Sequence, residues 1–336
     1  RGMGRRLVDC LVLTSAAMLS AVSGGGCELD SRYSSALGYA RCLDPPAPVL
    51  KHGGEYESLE FWKKNQETLQ DAWREFGLND SLLTALDDER SIQPSLREVM
   101  YQARSNPSPE NEAAVLRYVE QPVPGVFRFR LFTDTFLSRL RSQLDRLKSS
   151  GIPIRRPNGM NRYGLILSVD GDQALGGLLS PLLRDIVDDY VRPLARSLFP
   201  EYIGRGDDEE MYAFSIRYSA DGDLDLAEHR DASVVTFNAN IDFDGTSSTY
   251  GGSELEFVDE HNPMLRRRMR FEPGQAIIHK GGHRHQALPL HHGERNNVVI
   301  WLHGKFGFVR SAVYPPEERI SCKERWQICA KRRHSR

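Results

Sequence analysis

The second half of the chain alternates short apolar stretches with clusters of turn-forming residues, and this spacing is the strongest constraint on the fold. The stretches cover residues 211–219, 234–243, 253–258, 269–271, 275–279 and 297–303. Between them lie turn signals that include Asp221-Gly222-Asp223, Gly251-Gly252 and Pro273-Gly274. Many short strands separated by regular turns are typical of double-sheet β architectures. The pattern therefore predicts a jelly roll, also called a double-stranded β-helix.

The residues before this region show helical periodicity instead. Apolar residues between Leu59 and Phe76 lie near helical spacing, and residues 80–100 predict another helix or two. Pro and Gly residues at 121–125 predict a break, and residues 126–131 alternate like a short strand. Thr133 is placed to cap one helix and Pro181 to open another. We expect these two helices to brace a sheet, which makes the predicted fold class α+β.

The chain of 336 residues is long enough for one large domain with additional elements, or for two modest domains. We divide it into five segments: a signal peptide or anchor (1–26), a linker and helical accessory region (27–120), a helical support (121–210), a strand-rich core (211–305) and a basic C-terminal tail (306–336). The formal net charge is −2, so no nucleic-acid partner is expected.

The N-terminus resembles a targeting segment. Arg5 and Arg6 precede the mostly apolar residues 10–19, and the small residues Ala21 and Ser23 follow at the spacing of a cleavage site. The apolar stretch is shorter than the roughly 20 residues of a membrane-spanning helix. This segment predicts the secretory pathway or endoplasmic reticulum, with membrane contact only if it acts as an anchor. Asp9 favours the alternative of an irregular, non-functional leader, and the protein would then be cytoplasmic.

Cysteines are placed in two pairs near the ends of the chain. Cys27 and Cys42 follow the predicted leader, and Cys322 and Cys329 lie near the C-terminus. Either pair is able to form a disulfide in an oxidising compartment, and the spacing leaves the connectivity open.

A His-x-Asp sequence is the first sign of a metal site. Residues two apart on a strand face the same side, so His229 and Asp231 could offer an imidazole and a carboxylate to one ion. The pattern alone is weak, since a surface histidine beside an acid is the commoner explanation.

A second, composite pattern lies downstream. Six of the ten histidines fall between His279 and His303, five of them after the turn at Gly281-Gly282, and Arg295 begins the next apolar stretch. One histidine from this segment would complete a two-histidine, one-carboxylate triad, which leaves positions open for non-haem Fe(II) and oxygen chemistry. His283 and His285 are two residues apart, so either could face the metal. The guanidinium of Arg295 is suited to bind a carboxylate in the core.

These motifs resemble those of a known superfamily. Residues 229–233 (His-Arg-Asp-Ala-Ser) resemble the proximal motif of procollagen lysyl hydroxylases, and residues 285–289 (His-Gln-Ala-Leu-Pro) with Arg295 resemble the distal motif. The chain is thus similar to the Fe(II)/2-oxoglutarate-dependent dioxygenases, in their prolyl/lysyl hydroxylase branch. Similarity to animal members extends from Val126 to Gly304. It is carried by residues 150–153, 156–164, 223–226 and 279–282.

The resemblance implies a role for each site residue. His229, Asp231 and His285, rather than His283, would bind Fe(II), and Arg295 would pair with the distal carboxylate of 2-oxoglutarate. Tyr218 would line that co-substrate pocket, with a purely structural core tyrosine as the alternative. Dioxygen is implied as the second co-substrate and ascorbate as the reductant.

The other histidines are expected to have structural roles. His279 is predicted in the core or beside the ligands, with direct ligation as an alternative. His291 and His292 are predicted in solvent, and His303 as a polar group with a hydrogen-bond partner. The Ser/Thr-rich residues 245–249 make one turn longer than the resemblance leads us to expect, which leaves the substrate side of the site undefined.

The implied reaction is hydroxylation of a C–H bond, on a proline or lysine of a peptide or protein substrate, with release of succinate and CO₂. Two alternatives belong to other functional classes. One is a non-catalytic jelly-roll binding module with a vestigial site. The other is a cupin-like metal enzyme, which would use more histidine ligands and would not need Arg295.

Overall fold

A computed structural model describes residue 61 and residues 64–326, with gaps at 154, 159, 162, 170–177 and 244–249. The predicted leader, the linker up to residue 60 and the last ten residues of the predicted tail lie outside the described residues. The same holds for Cys27, Cys42 and Cys329, and for the long turn at 245–249. Within the described ranges, no helix is both long enough and apolar enough to cross a membrane.

Helices occupy most of residues 66–116. They are α1 (Gln66–Phe76), α2 (Asp88–Ser91), α3 (Pro94–Ser105) and α4 (Pro109–Leu116), with a 3₁₀ turn at Ser81–Leu83. Side chains of Asp80, Asp87 and Ser108 accept hydrogen bonds from the first free backbone N–H groups of the elements that follow them. Residues 80–100 thus contain the helices predicted for them.

Helix α5 (Asp134–Ser149) follows its sequence signals closely. The Thr133 hydroxyl accepts a hydrogen bond from the Phe136 N–H at 3.2 Å, which confirms the predicted N-cap. The apolar positions at helical spacing, including Leu137 and Leu140, are buried.

The helix predicted from Pro181 comprises three connected parts: α6 (Ser180–Ile186), a π-helical turn (Val187–Val191) and α7 (Arg192–Leu198). Pro193 accounts for the wider turn. It has no N–H to donate, and its ring would clash with the carbonyl of Asp189 in a regular α-helix.

The strands are β1 (Glu120–Val123), β2 (Val126–Phe129), β3 (Leu165–Val169), β4 (Glu210–Ser219), β5 (Leu226–His229), β6 (Val235–Asn240), β7 (Gly251–Gly252), β8 (Leu255–Val258), β9 (Arg266–Met269), β10 (Ala276–Lys280), β11 (His285–Ala287), β12 (Leu290–His292) and β13 (Glu294–His303). A seven-stranded major sheet has the order β1-β2-β10-β6-β13-β4-β3, and a four-stranded minor sheet has the order β5-β11-β8-β9. All the pairings within both sheets are antiparallel.

The two sheets pack face to face. Phe214 and Val299 of the major sheet share one apolar cluster with Phe257 and Ala287 of the minor sheet. A second cluster joins the outer face of the major sheet to the helices, through contacts that include Phe237 and Leu137. The prediction of an α+β fold with a jelly-roll core is confirmed.

The major sheet extends over more than one of the segments predicted from the sequence. Strands β1, β2 and β3 precede residue 211 yet belong to the major sheet, so a boundary at 211 would divide that sheet.

The predicted break at 121–125 is wrong in part, because Glu120–Val123 forms an edge strand. Pro122 is tolerated there, since an edge strand has N–H groups that need no partner. Phe76 and Leu83 lie in the same core as α5, so the described part of region 27–120 is continuous with the fold.

Strand β9 was predicted at 269–271 and is observed at Arg266–Met269. Three of its four residues are arginines, so a search for apolar stretches does not identify the strand. Across the pair with β8, Arg268 bonds Glu256 at 2.6 Å and Arg267 bonds Asp259 at 3.1 Å. Ion pairing, rather than an apolar face, accounts for the charged side of this strand.

The described part of the segment predicted as a basic C-terminal tail, residues 306–326, packs onto the fold. Trp326 is fully buried, and Ile320 is buried. Arg325 forms two hydrogen bonds, of 2.8 and 2.6 Å, with the Glu112 carboxylate of α4. A buried indole and a bidentate ion pair hold this segment on the helical layer, whereas the prediction rested on charge alone.

The Trp326→Ala variant is therefore expected to lose about 3–5 kcal/mol of unfolding free energy, because it leaves a large cavity in the core. Urea-induced unfolding measures this loss. The Phe308→Ala variant is the control: its side chain is exposed, so the change should stay within about 0.5 kcal/mol. A loss below about 1 kcal/mol for Trp326→Ala would contradict the packing of the C-terminal segment.

Candidate metal centre

The predicted ligands His229, Asp231 and His285 lie together. His229 ends β5 and is directly opposite His285, the first residue of β11, in the antiparallel pair. The His229 Nε2 atom is 3.3 Å from Asp231 Oδ1, and the His285 Nε2 atom is 3.9 Å from Asp231 Oδ2. One potential ligand atom from each residue lies within 4.8 Å of the others. The structure thus brings two imidazoles and one carboxylate to a common point.

The way in which Asp231 reaches this point differs from the prediction. The strand ends at His229, so alternation along a strand does not place Asp231. Its backbone N–H donates to the Gly281 carbonyl at 2.9 Å, and the Thr236 hydroxyl donates to its Oδ2 at 2.6 Å. A Cβ atom on Gly281 would lie 2.1 Å from the Ser233 carbonyl oxygen, so only glycine permits this close approach.

Backbone carbonyls fix the orientation of both imidazoles. The Nδ1–H of His229 donates to the Ala227 carbonyl at 2.8 Å, and the Nδ1–H of His285 donates to the His283 carbonyl at 2.9 Å. Each ring therefore keeps its Nε2 atom on the side of Asp231, which is how metal-binding histidines are oriented by their outer hydrogen bonds.

The charges at the centre suit a cation. Burial by itself would raise the pKa of Asp231, but nearby His285 and the hydrogen bond from His229 hold it well below its usual range. Burial lowers the pKa of His285, while contact with Asp231 leaves the pKa of His229 raised despite its burial. At neutral pH Asp231 is thus ionised and His285 neutral, the forms that bind metals.

The structure also separates His285 from the neighbouring histidines. The Nε2–H of His283 donates to the Val258 carbonyl at 3.0 Å, away from Asp231. His279 is buried beside the ligand group with its Nε2 atom 3.9 Å from Asp231 Oδ2, and burial lowers its pKa to about 3. The Nε2–H of His303 donates to the Ala232 carbonyl at 2.8 Å, as expected of a satisfied polar group. His291 and His292 are exposed.

Arg295 and Tyr218 form the other part of the site. They are partners in the β13–β4 register, and the guanidinium carbon lies 4.5 Å from the centre of the tyrosine ring. Arg295 is only 1% exposed, and its Nη1 donates to the Ser253 carbonyl at 2.7 Å. Its Nε has no acceptor, and no carboxylate of the described residues is within ion-pair distance. A buried cation without a counter-ion is costly, so this position favours an anionic ligand.

A single cavity of about 150 Å³ connects the two parts. Its lining includes His229, Asp231, His285, Tyr218 and Arg295, and apolar walls are contributed by both sheets. Sequence reasoning missed Thr236, Asn161 and Trp301, which also line it. Thr236 could have been suspected, because it is a polar residue within the apolar stretch that became β6.

Residues 75–204 match the family model of the OGFOD2-like domain. Among curated proteins, the chain is 32% identical over 177 residues to the 2-oxoglutarate and iron-dependent oxygenase domain-containing protein 2 of Xenopus tropicalis, covering 53% of this chain and 48% of that protein. The protein of the same name from Homo sapiens is 31% identical, covering 59% of this chain and 53% of that protein. The chain thus spans about half the length of these relatives.

Procollagen-lysine,2-oxoglutarate 5-dioxygenase 1 of Gallus gallus is a more distant relative, 28% identical over 62% of this chain and 29% of that protein. These relatives confirm the resemblance predicted from the motifs. A solved 2OG-Fe(II) oxygenase family oxidoreductase from Burkholderia pseudomallei is 17% identical with a TM-score of 0.41, over 60% of this chain and 93% of that chain.

Replacement of single histidines should separate ligands from neighbours. His285→Ala is expected to weaken binding of Mn(II) or Co(II) by more than about 100-fold, since loss of even an outer partner costs about 10–100-fold. His283→Ala should keep most of the affinity, because its backbone carbonyl, which orients His285, remains. Calorimetric titration of the metal-free protein measures both. Equal losses in the two variants would contradict the assignment of His285.

Proposed function

We propose that this protein is an Fe(II)- and 2-oxoglutarate-dependent dioxygenase, an oxidoreductase that hydroxylates a proline or lysine in a peptide or protein substrate. The observation that carries the proposal is the placement of two centres in one cavity. One is a histidine–carboxylate group suited to a divalent metal, and the other is a buried arginine that has no counter-ion among the described residues.

The donor set fits Fe(II). Two imidazole nitrogens and one carboxylate oxygen, gathered on one side of a cavity, leave positions open for other ligands. His229 and His285 are oriented in advance by their Nδ1–H bonds, and Asp231 is ionised, so binding needs little rearrangement. When bound, iron would supply the activation of dioxygen that these side chains cannot perform.

Arg295 would hold the distal carboxylate of 2-oxoglutarate. Its guanidinium offers parallel N–H donors to a carboxylate, and the Tyr218 ring packs against it. Burial raises the pKa of Tyr218, so its hydroxyl stays protonated and able to donate a hydrogen bond. We therefore assign Tyr218 to the co-substrate pocket.

The protein's contribution is to orient the reactants and to exclude water. Thr236 keeps Asp231 directed toward the metal position, and buried apolar residues such as Ile277 and Val299 line the same cavity. In the overall reaction, one atom of O₂ enters the new C–OH group and the other enters succinate, while 2-oxoglutarate loses CO₂. Ascorbate is proposed as the external reductant.

The curated relatives support the reaction class, since their names describe 2-oxoglutarate- and iron-dependent oxygenase domains. The name of the procollagen-lysine relative supports a peptide or protein substrate. We also propose location in the secretory pathway, which rests only on residues 1–26 of the sequence.

Succinate formation tests the reaction. Purified protein supplied with Fe(II), ascorbate and 2-oxoglutarate is expected to form succinate slowly even without its peptide substrate. His229→Ala should abolish this turnover, because a metal ligand is lost. Absence of both succinate formation and 2-oxoglutarate binding in the wild type would contradict the proposal and favour the binding-module alternative.

Arg295→Leu tests how the co-substrate is held. Loss of one partner from a buried charge pair costs about 2–5 kcal/mol, so the Kd for 2-oxoglutarate should rise at least about 30-fold. Affinity for Mn(II) should stay close to that of the wild type, because Arg295 does not belong to the ligand group. Unchanged 2-oxoglutarate binding together with intact metal-dependent activity would instead favour a cupin-like enzyme.

A further inference from the structure

Three donors in the cavity belong neither to the metal group nor to the proposed carboxylate site of Arg295. They are the side-chain N–H groups of Asn161, Arg230 and Trp301, all of which line the cavity. Whether these N–H groups already have hydrogen-bond acceptors or ion-pair partners indicates which chemical groups a substrate must contain.

The amide of Asn161 has a fixed orientation. Asn158 Oδ1 accepts hydrogen bonds from the backbone N–H groups of Met160 and Asn161, both at 2.9 Å, so its Nδ2 must be the atom that donates onward. That Nδ2 donates to Asn161 Oδ1 at 3.1 Å. The Nδ2 of Asn161 is consequently the remaining atom of its amide. It is buried and has no acceptor, in a residue that is 4% exposed.

The loop that carries Asn161 is held firmly against the major sheet. The Tyr212 hydroxyl donates to the Pro157 carbonyl at 2.5 Å. A Cβ atom on Gly164 would lie 2.7 Å from both the Pro157 ring and the Ser215 carbonyl oxygen, so the loop contacts β4 without intervening space. The Nδ2 atom of Asn161 therefore lacks an acceptor in a closely packed part of the cavity wall.

The side chains of Arg230 and Trp301, like the Nδ2 of Asn161, are hydrogen-bond donors. Arg230 is exposed and forms no ion pair with a described residue. The nearby Glu228 carboxylate does not neutralise it, because Glu228 already pairs with Arg266 and Arg284. The Trp301 Nε1–H is buried without an acceptor. Each of these groups can donate a hydrogen bond and none can accept one.

The lining holds one carboxylate, that of Asp231, among the described residues, and the metal position occupies it. A lysine ammonium brings three N–H donors and a positive charge, so it would need a carboxylate beside it, and no described residue of the lining has one to spare. A proline ring has no donor, and the carbonyls around it are acceptors. An acidic neighbour in the peptide would add a carboxylate for Arg230.

We propose that Asn161, Arg230 and Trp301 are specificity-determining residues that select a peptidyl proline with acidic flanking residues and exclude peptidyl lysine. This inference rests on the proposed function and deepens it. Asn161 donates to a carbonyl oxygen of the bound peptide, and Arg230 pairs with a flanking carboxylate.

The test uses the full chain with Fe(II), ascorbate and 2-oxoglutarate, and two peptides that share acidic flanks and differ only in a central proline or lysine. The proline peptide is expected to gain one oxygen atom by mass, with a kcat/KM at least about ten-fold above that of the lysine peptide, a ratio that corresponds to about 1.4 kcal/mol. Hydroxylation of both peptides at similar kcat/KM would overturn the inference while leaving the proposed function intact. Absence of succinate formation under every condition would overturn both.

Two variants test the residues themselves. Asn161→Asp keeps the acceptor for Asn158 and replaces the buried donor by an acceptor, so the proline-to-lysine ratio of kcat/KM should fall at least about ten-fold, mainly through KM. Arg230→Gln should reduce the preference for acidic over neutral flanks in the proline peptide. The control is Arg270→Gln, an exposed arginine outside the cavity, which should leave both ratios unchanged. Unaltered ratios in Asn161→Asp and Arg230→Gln would overturn the assignment.

Discussion

A carboxylate buried among imidazoles is the constraint on which the rest of this structure depends. Asp231 lies within reach of His229 and His285, away from bulk solvent, where an unpaired charge is costly. The opposed register of β5 and β11 supplies the two rings, the turn at Gly281 supplies a backbone acceptor, and Thr236 supplies a hydroxyl donor. Loss of any of these contacts would leave the buried charge of Asp231 less stabilised. A bound cation offsets the cost of burying that charge.

The second charge, on Arg295, is set by strand alternation on β13. Arg295 faces the cavity while its neighbours Glu294 and Asn296 face the other side. There Glu294 pairs with Arg217, and the side-chain N–H of Asn296 donates to Asp242 at 3.3 Å. These outward contacts fix the strand, so the guanidinium keeps its position against Tyr218. The cavity consequently has an anionic side chain at one site and a cationic one at another, an arrangement that suits a small dianion bridging metal and arginine.

The sequence predicted those parts of the fold that depend on local chemistry. Turn residues and short apolar stretches indicated the jelly roll, and Thr133 marked the start of α5 because a cap acts within a few residues. Strand β9 was misplaced because its stability comes from ion pairs with β8 that composition does not reveal. The candidate site also divides into residues that sequence motifs identify and residues that only the fold brings together. Motifs gathered the histidines, Asp231 and Arg295, whose roles as ligands and anchor stay predictions. Thr236 and Asn161 were missed because only the folded chain brings them to the cavity.

Gly281 and Gly282 are adjacent, but only Gly282 has space for a side chain. A side chain at Gly281 would collide with the Ser233 carbonyl oxygen and separate the loop from Asp231, whereas a Cβ on Gly282 would meet nothing within 4 Å. Selection for activity would therefore hold the first glycine fixed and allow the second to drift. In any set of diverged copies of this chain, a change at 281 would be an early mark of a lost metal centre, while a change at 282 would carry no such information.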